Sequence, residues 1–186
     1  MNPILIERQD NVLFYLRLDS RSCRTLDEVV LEFAETTNMK DIKAVKLYYG
    51  GTETVKREGK TFFCPVEYIP RDIPGKTLAA HPSYSVLKKE IKSPLRQVVF
   101  PVNQSLVPGI NYFWVSIQMK PKTPLLAKVE ADIVRASADG KILVLRKESP
   151  SGIERLMGTG VRHAGDDGVT AFRIPGLATT NKGTLL

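Results

Sequence analysis

Tyr112 and Trp114 stand two residues apart in a run where Phe113, Val115, Ile117 and Met119 alternate with them. Successive side chains of a strand point to opposite faces, so an apolar set turned to a core leaves Tyr112, Trp114, Ser116 and Gln118 on the other face. Two rings beside a hydroxyl and an amide suit a sugar, whose C–H face lies on an aromatic ring while its hydroxyls find hydrogen bonds. The same rings also suit packing beneath a loop, because a lone tryptophan is well buried on average.

The remaining reactive residues form no constellation. Cys23 and Cys64 are the two cysteines, too few for a disulfide framework and spaced for no metal; they make one disulfide or two free buried thiols. His81 and His163 lie far apart, each in a turn-like context, with no matching cysteine or carboxylate cluster, so neither a metal site nor a Ser-His-Asp arrangement is expected. Over 186 residues, 27 Lys and Arg against 20 Asp and Glu give a formal charge of +7, which favours anionic partners without naming one. Lys88-Lys89-Glu90-Ile91-Lys92, with Lys40, Lys43 and Lys46, reads as solvated charge. No zinc-finger, helix-turn-helix or RNP signature accompanies it, and nucleic acid is not an expected partner.

These residues must be held by strands. Val12, Phe14, Leu16 and Leu18 alternate at period two, as do Val29, Leu31 and Phe33, then Val45, Leu47 and Tyr49. Further strands are predicted at 62–66, 97–102, 113–119, 128–135 and 141–146, the last two joined by a turn containing Asp139-Gly140, a strong hairpin signal. Ser83 to Ile91 allows a short helix of marginal length. Prolines at 65, 70, 74, 82, 94, 101, 108, 121 and 124 favour edge strands and turns. The expectation is an all-β chain: an antiparallel β-sandwich, jelly-roll-like, over residues 1–147. From 148 the turn chemistry of Ser149-Pro150-Ser151-Gly152 and the glycines up to Gly168 predict a linker. A hairpin follows around Asn181-Lys182-Gly183, and the chain stops on Leu185-Leu186 within its second strand, which predicts a polypeptide that continues. No run of 18 apolar residues suggests a transmembrane helix, and the opening residues lack the features of a signal peptide.

Phe172-Arg173-Ile174-Pro175, with the preceding Gly160 to Gly168 and the following Asn-Lys-Gly turn, resembles the Phe/Tyr-Arg-Ile-Pro motif that opens the catalytic β-propeller of bacterial sialidases (neuraminidases). Asn111-Tyr112-Phe113-Trp114-Val115 and its flanking strands resemble the BNR-associated N-terminal β-sandwich of those enzymes. Ser137-Ala138-Asp139-Gly140 departs from an Asp-box, since the glycine comes one residue early and no tryptophan follows, and reads as a plain hairpin turn.

The resemblance implies an accessory sandwich over 1–147, and over 148–186 a linker with an incomplete first piece of the propeller. It implies that Arg173 belongs to a three-arginine cluster gripping the carboxylate of sialic acid. The other two arginines, the tyrosine nucleophile, its glutamate and the aspartate acid/base would lie beyond Leu186. The chain by itself is then expected to hold no catalytic residue. The parent reaction is retaining hydrolysis of terminal α-linked sialic acid, with no cofactor. Sialylated or mucin-type glycans and the propeller itself are the implied partners, and export to the periplasm or cell surface is implied after removal of a leader. For the sandwich, glycan binding through Tyr112 and Trp114 stands against a purely structural role in which its outer face docks on the propeller.

Overall fold

A computed structural model describes residues 3–52, 55–57, 60–62, 85–147, 152–160 and 166–168. The elements are almost entirely strands: β1 (Ile4–Leu5), β2 (Asn11–Ser20), β3 (Arg24–Phe33), β4 (Ile42–Gly51), β5 (Val55–Arg57), β6 (Lys60–Phe62), β7 (Val86–Lys92), β8 (Gln97–Leu106), β9 (Gly109–Met119), β10 (Lys128–Ala138), β11 (Lys141–Ile142) and β12 (Ile153–Gly158). A 3-10 turn, Met39–Asp41, precedes β4. Among the described residues no helix is long and apolar enough to cross a membrane.

The strands build two main sheets. One runs β1-β12-β10-β3-β8, with β11 against the end of β10; the other runs β2-β9-β4-β7, and β5 pairs with β6 alone. Apolar side chains from both main sheets meet in one core, including Leu31, Phe33, Phe100 and Val129 from the first and Leu47, Phe113, Val115 and Ile117 from the second. The fold is thus an all-β sandwich, as the period-two patterning predicts. Each such fully buried side chain contributes about 1.5–3 kcal/mol relative to exposure.

Several local departures have physical causes. The alternation on β2 slips at a bulge between Val12 and Phe14, so Leu13 is buried in the core and Val12 turns to the outer face. The segment read as a possible short helix is instead the edge strand β7, paired with β4 from Ala44↔Lys92 to Tyr49↔Val86. A short run with few apolar anchors is ambiguous in sequence, and sheet pairing decides it. Pro101 sits on β8, at the edge of its sheet and beside a bulge, where a missing N–H is tolerated. Asp139 and Gly140 take φ of 49° and 70°, both left-handed, as a two-residue turn between β10 and β11 demands. That turn is tied to β3: Thr25 N–H donates to Asp139 Oδ1 at 2.9 Å, and Gly140 N–H donates to Asp27 Oδ2 at 2.7 Å.

The stretch predicted as a linker contains β12. It pairs antiparallel with β10 (Lys128↔Leu156 to Ala131↔Ile153) and parallel with β1 (Ile4↔Met157, Leu5↔Gly158), so the first sheet extends past residue 147. Glycine makes this approach possible. Gly152 has φ of +78°, and a Cβ there would stand 2.6 Å from the Ala131 carbonyl oxygen. The first and last strands of the sandwich therefore lie side by side.

Candidate functional site: the outer face of the four-stranded sheet

Cross-strand pairing assembles three rows on the outer face of the second sheet. Tyr15, Trp114, Tyr48 and Leu87 form one; Val12, Ser116, Lys46 and Glu90 form the next; Arg17 pairs with Tyr112. This is the face predicted for Tyr112 and Trp114, and their inward-facing neighbours Phe113, Val115, Ile117 and Met119 are all in the core. Of the two readings of these rings, an open sugar-binding surface and packing within the protein, the structure has the second. Trp114 is 0% exposed and Tyr112 7%. The indole lies on the Tyr48 ring with centroids 4.2 Å apart and planes 8° from parallel, Val12 packs against the pair, and Nε1 donates to Ser85 Oγ at 3.1 Å. Tyr48, Tyr112 and Trp114 are thus covered within the chain itself.

Beside the stack sits a carboxylate. Asp10 Oδ1 accepts from Lys46 Nζ (3.1 Å), Tyr48 Oη (3.0 Å) and Ser116 Oγ (2.9 Å), while Lys46 Nζ also donates to the Gln9 carbonyl at 3.1 Å. The Lys46 and Asp10 side chains are 11% and 14% exposed, so this is an enclosed ion pair and not the solvated charge that the lysine pattern suggests. Burial first, then the Asp10 charge and its hydrogen bond, raise the Tyr48 phenol well above its ordinary value. Burial also raises Tyr49, whose hydroxyl donates to Asn111 Oδ1 at 3.3 Å.

Asn111, at the head of the aromatic motif, pins the β8–β9 turn. Its Nδ2 donates to the carbonyls of Val107 (2.9 Å) and Gly109 (3.2 Å), and its Oδ1 accepts from Val107 N–H (3.1 Å). Asn11 does the same for the turn after β1, with Oδ1 accepting from Leu5 N–H at 2.8 Å and Nδ2 donating to the Leu5 and Ile117 carbonyls. Both amides are buried with partners, as buried polar groups must be.

Accessible on this face are Leu87 and Glu90 on the edge strand and, at the opposite edge, Tyr15, 40% exposed and the one aromatic among the exposed large apolar residues described, with Arg17 exposed two positions along the same strand. Sequence reasoning missed Asp10, Lys46, Tyr48 and Tyr15 as a group. The available signal was phase: Lys46 and Tyr48 fall out of step with Val45, Leu47 and Tyr49, as Trp114 and Ser116 do on β9. Arg173 and its motif, Cys64, His81 and His163 lie outside the described residues. Cys23 is an exposed thiol, not a buried one. No group of three His, Cys, Asp or Glu is placed to hold a metal among the described residues.

Fold and site together define an all-β sandwich domain with the centre of one sheet face filled by its own aromatic and polar rows. Residues 1–142 match the N-terminal domain of BNR-repeat neuraminidase. The chain is 60% identical over 184 residues to a sialidase of Bacteroides fragilis (strain YCH46), covering 99% of this chain and 34% of that protein. Among solved structures it resembles the Hadza microbial sialidase Hz136, with a TM-score of 0.76 and 40% identity, covering 98% of this chain and 35% of that one. The chain belongs to the family of BNR-repeat neuraminidase N-terminal domains and spans about one third of the length of these relatives.

Proposed function

We propose that this chain is the accessory, non-catalytic N-terminal part of a bacterial exo-α-sialidase, a longer exported polypeptide that removes terminal sialic acid from glycoconjugates. In this reading the sandwich, 1–147 together with β12, supports and orients the catalytic propeller. The segment carrying Phe172-Arg173-Ile174-Pro175 opens that propeller, and Arg173 grips the substrate carboxylate beside two arginines supplied by the remainder. The carrying observation is the match along 184 residues to a sialidase of which the chain spans 34%. The Asp10 carboxylate agrees with a supporting role, since one of its oxygens is already occupied by three donors of the sheet.

A small fluorogenic sialoside tests this reading. Turnover is expected from the longer polypeptide and not from the 186-residue chain, and Arg173→Ala in the longer protein is expected to raise KM. Turnover by the chain alone sinks the non-catalytic assignment; none by the longer protein sinks the sialidase reading.

A second reading, glycan binding by the sandwich, is favoured by Tyr15 and Arg17. An exposed ring with a guanidinium two residues along suits a sugar bearing a carboxylate, with Tyr112 and Trp114 as buried cross-strand neighbours instead of the contact surface. Titration with sialyllactose, galactose and mucin glycans tests it. Binding that weakens in Tyr15→Ala supports this reading, and the absence of any response at high sugar excludes it.

A further inference from the structure

The end of the sandwich at which β12 finishes carries four exposed leucines. Leu126 is 95% exposed, Leu95 79%, and Leu125 and Leu156 54% each. They come from separate parts of the chain: Leu95 between β7 and β8, Leu125 and Leu126 between β9 and β10, and Leu156 on β12. Specific contacts hold these parts together. The Arg96 guanidinium donates to the carbonyls of Ala34 (2.6 Å) and Glu35 (3.0 Å), and Thr37 bonds both backbone groups of Glu130. Leu126 and Lys128 line an open groove with Thr36, Asn38 and Asp41, and Lys128 is the cross-strand partner of Leu156. Lys40, Lys120 and Lys122, all exposed, stand at the same end. Leucines so exposed and so grouped mark an interaction surface more than a solvent face.

We propose that this end, and not the outer sheet face, is the seat of the catalytic part of the longer polypeptide. Apolar side chains of that part cover Leu95, Leu125 and Leu126, and an acidic rim faces Lys40, Lys120 and Lys122. The inference rests on the accessory-domain reading above. Its occupant is argued from length and direction: the chain covers only 34% and 35% of its relatives, and β12 runs toward this end. Tethering supplies a high effective concentration, so a modest patch suffices. Exposed Ile142 belongs to the hairpin at the other end of β10 and serves as a comparison surface.

The test uses the longer polypeptide. Leu95→Asp, Leu125→Asp and Leu126→Asp combined should speed protease cleavage between sandwich and catalytic part about tenfold and split a joint melting transition in two, because cleavage follows the population of the opened form. Ile142→Asp should do neither. Lys120→Glu with Lys122→Glu, which leaves every leucine in place, should loosen the contact in a salt-dependent manner. Unchanged cleavage and melting in the leucine variant, equal effects from Ile142→Asp, or concentration-dependent dimers that the leucine variant abolishes would each overturn the proposal. Turnover of a small sialoside, measured alongside, reports on the accessory-domain reading separately: a protein that hydrolyses nothing fails that reading, whereas one that hydrolyses normally with unaltered cleavage fails only the docking surface.

Discussion

The indole of Trp114 lies flat on the phenol of Tyr48, 4.2 Å between centroids, and the hydroxyl of that phenol donates to Asp10. A stack at the centre of a four-stranded sheet thus joins an apolar row to an enclosed ion pair, and the two should fail together.

Trp114→Ala is expected to destabilise the sandwich by about 3–5 kcal/mol, the usual cost of emptying a large buried site. Trp114→Phe keeps a ring on Tyr48 and loses the Ser85 hydrogen bond, so a smaller loss of about 1–2 kcal/mol is expected. Urea unfolding measures both. Because Trp114 is the single tryptophan, native emission should be blue-shifted and poorly quenched by acrylamide. Emission like that of free tryptophan in the native protein would contradict its burial.

Asp10→Ala leaves Lys46 buried without its counter-charge and should cost about 3 kcal/mol. Combining it with Lys46→Met removes the unpaired charge, and the double variant should recover part of that loss. A double variant no more stable than Asp10→Ala alone would show that the ion pair is not the relevant term. Ser116→Ala removes one of three donors and should cost about 1 kcal/mol.

Alkaline stability should depend on Tyr48. Its phenol titrates above the ordinary 10.0 because burial, and then Asp10, disfavour the phenolate. The folded state therefore holds this proton more tightly than the unfolded chain does. The contribution is fully present below pH 10 and is lost as pH rises above it. Tyr49, raised by burial, acts in the same direction. Urea midpoints measured from neutral pH into the alkaline range should fall less steeply for Tyr48→Phe than for the parent, and parallel curves would refute the linkage.

Gly152→Ala should detach β12. The new methyl meets the Ala131 carbonyl oxygen at 2.6 Å on a backbone with φ of +78°, which costs on the order of 1–3 kcal/mol unless the strand moves away. Hydrogen exchange over Ile153–Gly158 reports this directly. Protection equal to the parent's would mean that the strand tolerates the side chain.

The alternations on β3, β4, β8 and β9 were legible because each has one face on the core, and the Asp-Gly turn announced the β10–β11 hairpin. The spacing of Val12 from Phe14 puts the two on one face, and the structure separates them because a bulge adds one residue without leaving a mark in the pattern. Strand β12 was hidden by the turn residues before it, since pairing with β10 and β1 and not its own composition makes it a strand. The Asp10 cluster was the least legible feature. Its members are separated by 36 to 106 residues, and a lone lysine on a strand looks the same in sequence whether water or a carboxylate receives it.

The parallel pairing of Ile4–Leu5 with Met157–Gly158 also constrains the order of events during synthesis. Translation delivers β1 more than 150 residues ahead of its partner, at about 5–20 residues per second. Every strand between them can pair sooner. The earlier of the two strands is therefore the one that waits longest for its partner, and closure of that edge reports that the described strands between them have been made.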